Sequence, residues 1–423
     1  MSLGVRARPQ AGVVGRRARA AVAVLFFTNG ALFANLLPRY PQIKADLGLG
    51  NAAYGLAVAA FPTGAIVAGL GAGALIRRYG SARVAVLSTL LTGAGILVAG
   101  MAGSVAVFAG ALFVAGAMDA ITDVAQNAHG LRVQRRYGRS IINSFHAVWS
   151  VGAVTGGSMA AGAIALGLAR GPHLTVSALV FAAAACVAFR FCLPGRDTEE
   201  AGVSSDAGTE PDAGTGADAG TGAVSKGRGA PPRTRYVYVL TALVLIATSG
   251  TLVEDAGNSW AAVYLAGSLH ASGTLAASGY IALVGAMFVG RVSGDRLVDR
   301  FGERAVARAG GLVTALGMGL ALAVPTVPGT VGGFAAAGLG VATLIPAAMH
   351  AADKLPGLKP GSGLTIVSWL MRLGFLLSPP AVGLVADASS LRVGLLVVPV
   401  AGVLVMLLAG VLGSRHEGRL TPD

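Results

Sequence analysis

Charge is what this chain has least of. Only 12% of its 423 residues are charged, where soluble domains carry about a quarter. Cysteine is almost absent. The two present, Cys186 and Cys192, lie in or just after one apolar segment, which excludes a disulfide framework and a cysteine metal site. Acids are scarcer than bases, 19 against 32, for a net charge of +13. That balance raises nucleic acid as a partner. The basic residues sit in short loops between apolar runs, however, so no nucleic-acid partner is expected. No G-x-x-x-x-G-K-[ST] stretch occurs, which removes P-loop ATP hydrolysis as an energy source. No nucleophile–base or metal-ligand spacing appears. The chain is therefore read as neither an enzyme nor a cofactor or metal protein.

What the chain does have is apolar length. It is 54% hydrophobic with 63 glycines, and its mean hydropathy is +0.70. A bilayer-crossing helix needs about 20 apolar residues. Twelve such runs fall near 19–38, 51–76, 84–102, 104–130, 141–168, 173–193, 236–258, 273–294, 305–325, 328–350, 362–387 and 391–412. The first follows a basic stretch (Arg6, Arg8, Arg16, Arg17, Arg19). It lacks a clear small-residue cleavage site and is read as a span rather than a signal peptide. Placing the N-terminus inside leaves only Arg39, Lys44, Arg170 and Arg392 on the outer side and Arg372 within a span. The other 27 of the 32 basic residues then face the cytoplasm or its boundary, as the positive-inside rule prefers.

Between the sixth and seventh runs the repeated DAGT of 206, 212 and 218 marks a Gly-rich linker that cannot form a core. The organisation read from this is a cytoplasmic tail (1–18), a six-helix bundle (19–194), a linker (195–235), a second bundle (236–412) and a cytoplasmic tail (413–423). The bundles echo each other. GALIRRYGSAR at 73–83 and DRLVDRFGERA at 295–305 place Gly80 and Gly302 222 residues apart. Gly152 and Gly374 share that offset. A duplicated six-helix unit is the expectation.

The segment GRVSGDRLVDRFGER at 290–304 resembles the signature loop of the major facilitator superfamily. NGALFANLLPRYPQIKADLGL at 29–49, DVAQNAHGLRVQRRYGRSIINSFHAVWSVG at 123–152 and WAAVYL at 260–265 resemble its MosC/YbjJ-like branch. The resemblance covers both halves. It implies an all-α membrane fold of two pseudo-symmetric six-helix bundles, working as a monomeric secondary transporter of a small organic solute in a bacterial plasma membrane. GAVTGG at 152–157 resembles part of the family's antiporter motif without its proline, which tilts the expectation towards proton-coupled efflux. Uptake of a sugar-like solute and a non-transporting sensor are the alternatives. Gln134 stands where the branch commonly has an acid, and Arg372 where it more often has an aromatic.

A charge at mid-bilayer costs about 2.5–3.5 kcal/mol on insertion scales, so each one needs a reason. Asp119, Asp123 and Asn127 are four apart and share one helix face within about 80°. Asp119 is read as a protonation or substrate site. By the resemblance, Asp123 is expected to latch onto Arg83 or Arg77. Glu254 and Asp255 point about 100° apart, so only one can face a cavity squarely; both are proton-coupling candidates, with His146. Asn29, Asn35, Trp149, Asn258 and Trp260 are substrate-cavity candidates, Trp260 being equally a membrane-interface anchor. Arg372 cannot shed its charge. Its expected partner is an acid of span 4 or 7, and second a substrate carboxylate. His350 reads as a boundary residue. Gly73, Arg77, Gly80, Arg83, Asp299, Arg300, Gly302, Arg304 and Asp353 form the expected gating parts. The resemblance has Asp299 capping the start of span 5 and Arg304 meeting Asp353.

Overall fold

The computed structural model describes residues 8–137, 141–195, 233–355 and 362–413. The linker core, the extreme termini and the 356–361 connection lie outside the described residues. So do residues 1–7 and 414–423 of the two tails expected from the sequence.

Twelve helices are long and apolar enough to cross a membrane. We label them α1 (Gly15–Asp46), α2 (Asn51–Gly69), α3 (Ser81–Gly100), α4 (Val105–Tyr137), α5 (Ser144–Ala165), α6 (Arg170–Phe189), α7 (Tyr236–Gly267), α8 (Gly273–Phe301), α9 (Glu303–Ala323), α10 (Val327–Asp353), α11 (Ser362–Ala388) and α12 (Leu391–Val411). Each run expected from the sequence holds one of them. Successive helices run antiparallel, so the ends near Gly80 and Gly302 share the face from which α1 starts, here the terminal face. The ends near Asn51 and Asp387 lie on the far face.

Glycines let the helices touch along their backbones, as small residues do in membrane bundles. A methyl group on Gly152 of α5 would strike the Phe27 carbonyl of α1, and one on Gly374 of α11 would strike Thr251 of α7. Gly116 of α4 lies against the Phe61 carbonyl of α2, and Gly338 of α10 against the Leu283 carbonyl of α8. Both members of that second contact are shifted by the same 222 residues. Gly80 and Gly302 match as well: both have φ 84°, with ψ 146° and 154°. This left-handed turn suits glycine. The duplicated unit is thus present in backbone geometry as well as in sequence.

Five spans are not continuous. α1 is interrupted between Ala34 and Leu37, α12 between Gly394 and Val397, α2 at Ala59, α10 between Val341 and Leu344, and α11 at Met371. At the last break Thr251 Oγ1 donates to the Met371 carbonyl at 2.8 Å, which also accepts from Gly374 N at 2.9 Å, tying the break to α7. Hydropathy is blind to such breaks because the residues there stay mostly apolar.

The halves meet along two long seams, α2 against α11 and α5 against α8, and along a shorter one near the far face, where the end of α1 and the start of α2 meet α7. Near the far face Asp387 of α11 accepts from Asn51 N and Asn51 Nδ2 at 2.9 Å and from Ala52 N at 2.8 Å, capping the start of α2. Tyr54 Oη donates to the Ser259 carbonyl at 2.7 Å. Gly157 of α5 packs on Tyr280 of α8.

Candidate functional site

The polar face of α4 is answered by α1 and α5. Asn29 Nδ2 donates to Asp119 Oδ1 at 2.7 Å, and Trp149 Nε1 donates to Asn29 Oδ1 at 2.7 Å. The contact depends on glycine, because Gly30 of α1 lies against the Trp149 carbonyl with no room for a side chain. Asn29 is buried, while Asp119 and Trp149 are half-buried. One turn along α4, Asn127 Nδ2 donates to Asp123 Oδ1 at 3.0 Å, and Asn127 Oδ1 lies 3.2 Å from His146 Nε2. Asp123 and His146 are exposed even though they sit inside the length of their spans.

The second half faces this cluster with positive charge. Asp123 lies within electrostatic reach of Arg372 of α11, and His146 within reach of Arg291 of α8. Arg291 stands 3.7 Å from Glu254 of α7 and 3.5 Å from Ser150 Oγ of α5. Acids and bases from both bundles therefore look into one space between them. Such a space can hold a polar solute and exchange protons with it. Among the described residues, no group of three or more His, Cys, Asp or Glu is placed to hold a metal.

The family model of the Major Facilitator Superfamily matches residues 22–297 and 294–422. The chain belongs to this superfamily. It is a multi-pass membrane transporter that moves small solutes by alternating access, not an enzyme. Over 394 residues it is 29% identical to the uncharacterized transporter y4wD of Sinorhizobium fredii, covering 92% of this chain and 97% of that one. It is 26% identical over 398 residues to the membrane protein MosC of Rhizobium meliloti, covering 94% and 90%. Among solved structures, a bacterial homologue of the human lysosomal transporter Spinster superposes with a TM-score of 0.70 at 13% identity, covering 99% of this chain and 100% of that one. A D-xylose–proton symporter superposes with a TM-score of 0.68 at 15% identity, covering 94% and 96%. At these identities the structures speak for the fold alone.

Several residues of the transporter sit elsewhere than the sequence suggests. Asn35 does not face the cavity. It is 1% exposed and ties α1 to α6, with Oδ1 2.9 Å from His173 Nε2 and accepting from Ser177 Oγ at 3.2 Å. Trp260 is neither a membrane anchor nor a stacking surface, being fully buried edge-on to Tyr54 at 4.9 Å between centroids. Of the adjacent acids, Glu254 turns to Arg291, and Asp255 turns into the seam beside Ser259. Asn258 is half-buried on the same helix.

The gating residues also need correction. Asp123 makes no ion pair with Arg77 or Arg83, both of which are exposed at the terminal face. Asp299 is exposed and does not cap the start of α5. Gln134 does this instead, its Oε1 accepting from Ile141 N at 2.8 Å and Ile142 N at 3.1 Å. A neutral amide thus takes the capping position, because the end of α4 brings position 134 over these free N–H groups. Arg304 bonds the Leu412 and Gly413 carbonyls. Arg300 packs over Phe301, and His350 lies 3.8 Å from Glu303. Gly73 sits in the short helix Ala72–Tyr79 ahead of Gly80, and Asp353 is exposed at the end of α10.

Two participants were not legible as cavity residues. Arg291 reads as part of the signature loop, yet it lies ten residues before the end of α8, about 15 Å along a helix. Counting back from Gly302 is the signal that finds it. Ser150 carries no signal of its own.

Proposed function

We propose that this transporter exports a small organic solute from a bacterial cytoplasm in exchange for protons, with both termini on the cytoplasmic side of the plasma membrane. The observation that carries the coupling is the contact of Asp119 with Asn29. It holds a carboxyl group, within a membrane span, on the face that leads to Asp123 and the cavity. An acid in that position can load and release a proton as access alternates. A proton crossing 100 mV releases about 2.3 kcal/mol, enough for roughly a 50-fold solute gradient.

The orientation rests on the Lys and Arg distribution. Arg372 supports a solute with an acidic group. Among the described residues it makes no hydrogen bond or ion pair, and its permanent charge inside a span calls for an anion. Export rests on the GAVTGG stretch of α5, whose Gly157 touches the opposite half. The second reading, uptake of a sugar-like solute, is favoured by the amide and indole of Asn29 and Trp149.

Reconstituted vesicles with an internal pH dye decide among these. Under an imposed pH gradient, the true solute should drive proton flux against its own movement, and Arg372→Gln should weaken its binding. Flux in the same direction as the solute would establish uptake. Absence of coupled flux across acidic, neutral and basic solutes would leave a sensor.

A further inference from the structure

Asp255 is a buried acid that the cavity does not use. It is 7% exposed. Its Oδ1 accepts from Ser259 Oγ at 3.3 Å, and its Oδ2 is buried with no partner among the described residues. The surroundings belong to both halves. Tyr40 and Tyr54 come from the first half and lie within electrostatic reach of Asp255. Ser259 and Trp260 come from the second. Tyr54 closes over this place by donating to the Ser259 carbonyl and packing on Trp260. The Tyr40 hydroxyl and Trp260 Nε1 are also buried without partners. One seam thus holds three unpartnered polar groups beneath the Asp387 cap of α2.

An ionised carboxylate is unfavourable to bury unless it is paired and hydrogen-bonded. Two serine hydroxyls, Ser259 at 3.3 Å and Ser378 nearby, supply no opposite charge and do not meet that condition. Opening the far face must pull Tyr54 from Ser259 and let water reach Asp255, which removes the cost. We propose that Asp255 is a proton-binding site that locks the far face: the seam closes over the neutral acid and opens over the carboxylate. Acid on the far side therefore favours the closed seam, and alkali favours the open one. The lock depends on alternating access alone. It is separate from the solute and from the role of Asp119 proposed above.

The charges around Asp255 do not supply an alternative partner. Glu254 is adjacent on α7 and turned to Arg291 of α8. Tyr40 and Tyr54 are phenols that stay neutral well past pH 8. Ser378, on α11, brings a second hydroxyl within reach of the carboxyl group, and that hydroxyl also donates to the Leu252 carbonyl at 3.4 Å. Lys44 of α1 and Asp387 attract each other at the far surface.

The test is the distance between spin labels at Gly103→Cys and Pro325→Cys, on exposed far-face loops of opposite halves, in full-length protein with Cys186 and Cys192 replaced by serine. Raising the pH from about 5 to about 9 should move the distribution to longer distances in the parent, around the titration of one carboxyl group. Asp255→Asn, which mimics the neutral acid, should lose that response and stay short throughout. Asp255→Ser serves the same purpose if the amide variant fails to fold, and Glu254→Gln should keep the response. A parent insensitive to pH, or an Asp255 variant that responds as the parent does, overturns the lock. So does closure driven at constant pH by exchanging potassium for sodium, which would make the site a sodium site.

Discussion

Asn29 holds Asp119 at 2.7 Å across the α1–α4 contact, and Trp149 holds the other end of the same amide. The asparagine is oriented by two partners of opposite kind: its NH₂ must point at the acid because its oxygen is taken by the indole. Asp119 is therefore positioned by a chain of side chains from three helices.

Asp119→Asn should keep this geometry, since an amide oxygen still accepts from Asn29. It should abolish proton-driven transport while sparing solute exchange. Paired assays of pH-driven flux and counterflow in vesicles check this, and unchanged pH-driven flux would remove Asp119 from coupling. Asn29→Ala should do more harm to folding, because Trp149 and Asp119 both lose a partner. The expected loss is about 1–3 kcal/mol, seen as a lower melting temperature in detergent.

Gly152→Ala places a methyl group against the Phe27 carbonyl, whose backbone cannot yield cheaply. Overpacking of this kind costs about 1–3 kcal/mol. Gly103→Ala meets open space and serves as the control. The first should lower thermal stability measured by fluorescence-detected size-exclusion, and the second should not.

Gln134→Ala removes the acceptor for the first N–H groups of α5. A lost cap costs about 0.5–2 kcal/mol. Gln134→Glu should retain the cap and add a favourable charge at a helix N-terminus. The melting temperatures should fall in the order Glu at or above the parent, then Ala. Equal values for all three would show that the cap contributes nothing to stability.

Asp387→Ala uncaps α2 at the inter-half seam and frees Asn51 and Ala52. The population open at the far face should rise at every pH, because this contact is made only when the halves are closed there. The label pair at Gly103 and Pro325 reads the change. Because Asp387 is exposed, high salt should shrink the difference between variant and parent.

Much of this transporter is written in its sequence. Hydropathy is local: each stretch of about 20 apolar residues must cross the membrane whatever its neighbours do. The twelve spans, their pairing into halves and the 222-residue echo follow from that and from the placement of glycine. Helical periodicity also gives relative angles, so Asp119 and Asp123 share a face while Glu254 and Asp255 cannot. What periodicity lacks is the absolute rotation of each helix and the identity of what lies across from it. Only tertiary packing turned Asn29 to the acid and Asn35 to His173, Glu254 to the cavity and Asp255 to the seam. It also put Gln134 over the start of α5 and brought Arg291 opposite Ser150. Those choices depend on which helices touch, and pairs such as Asn29 with Asp119, 90 positions apart, or Ser150 with Arg291, 141 apart, leave no local trace in a single chain.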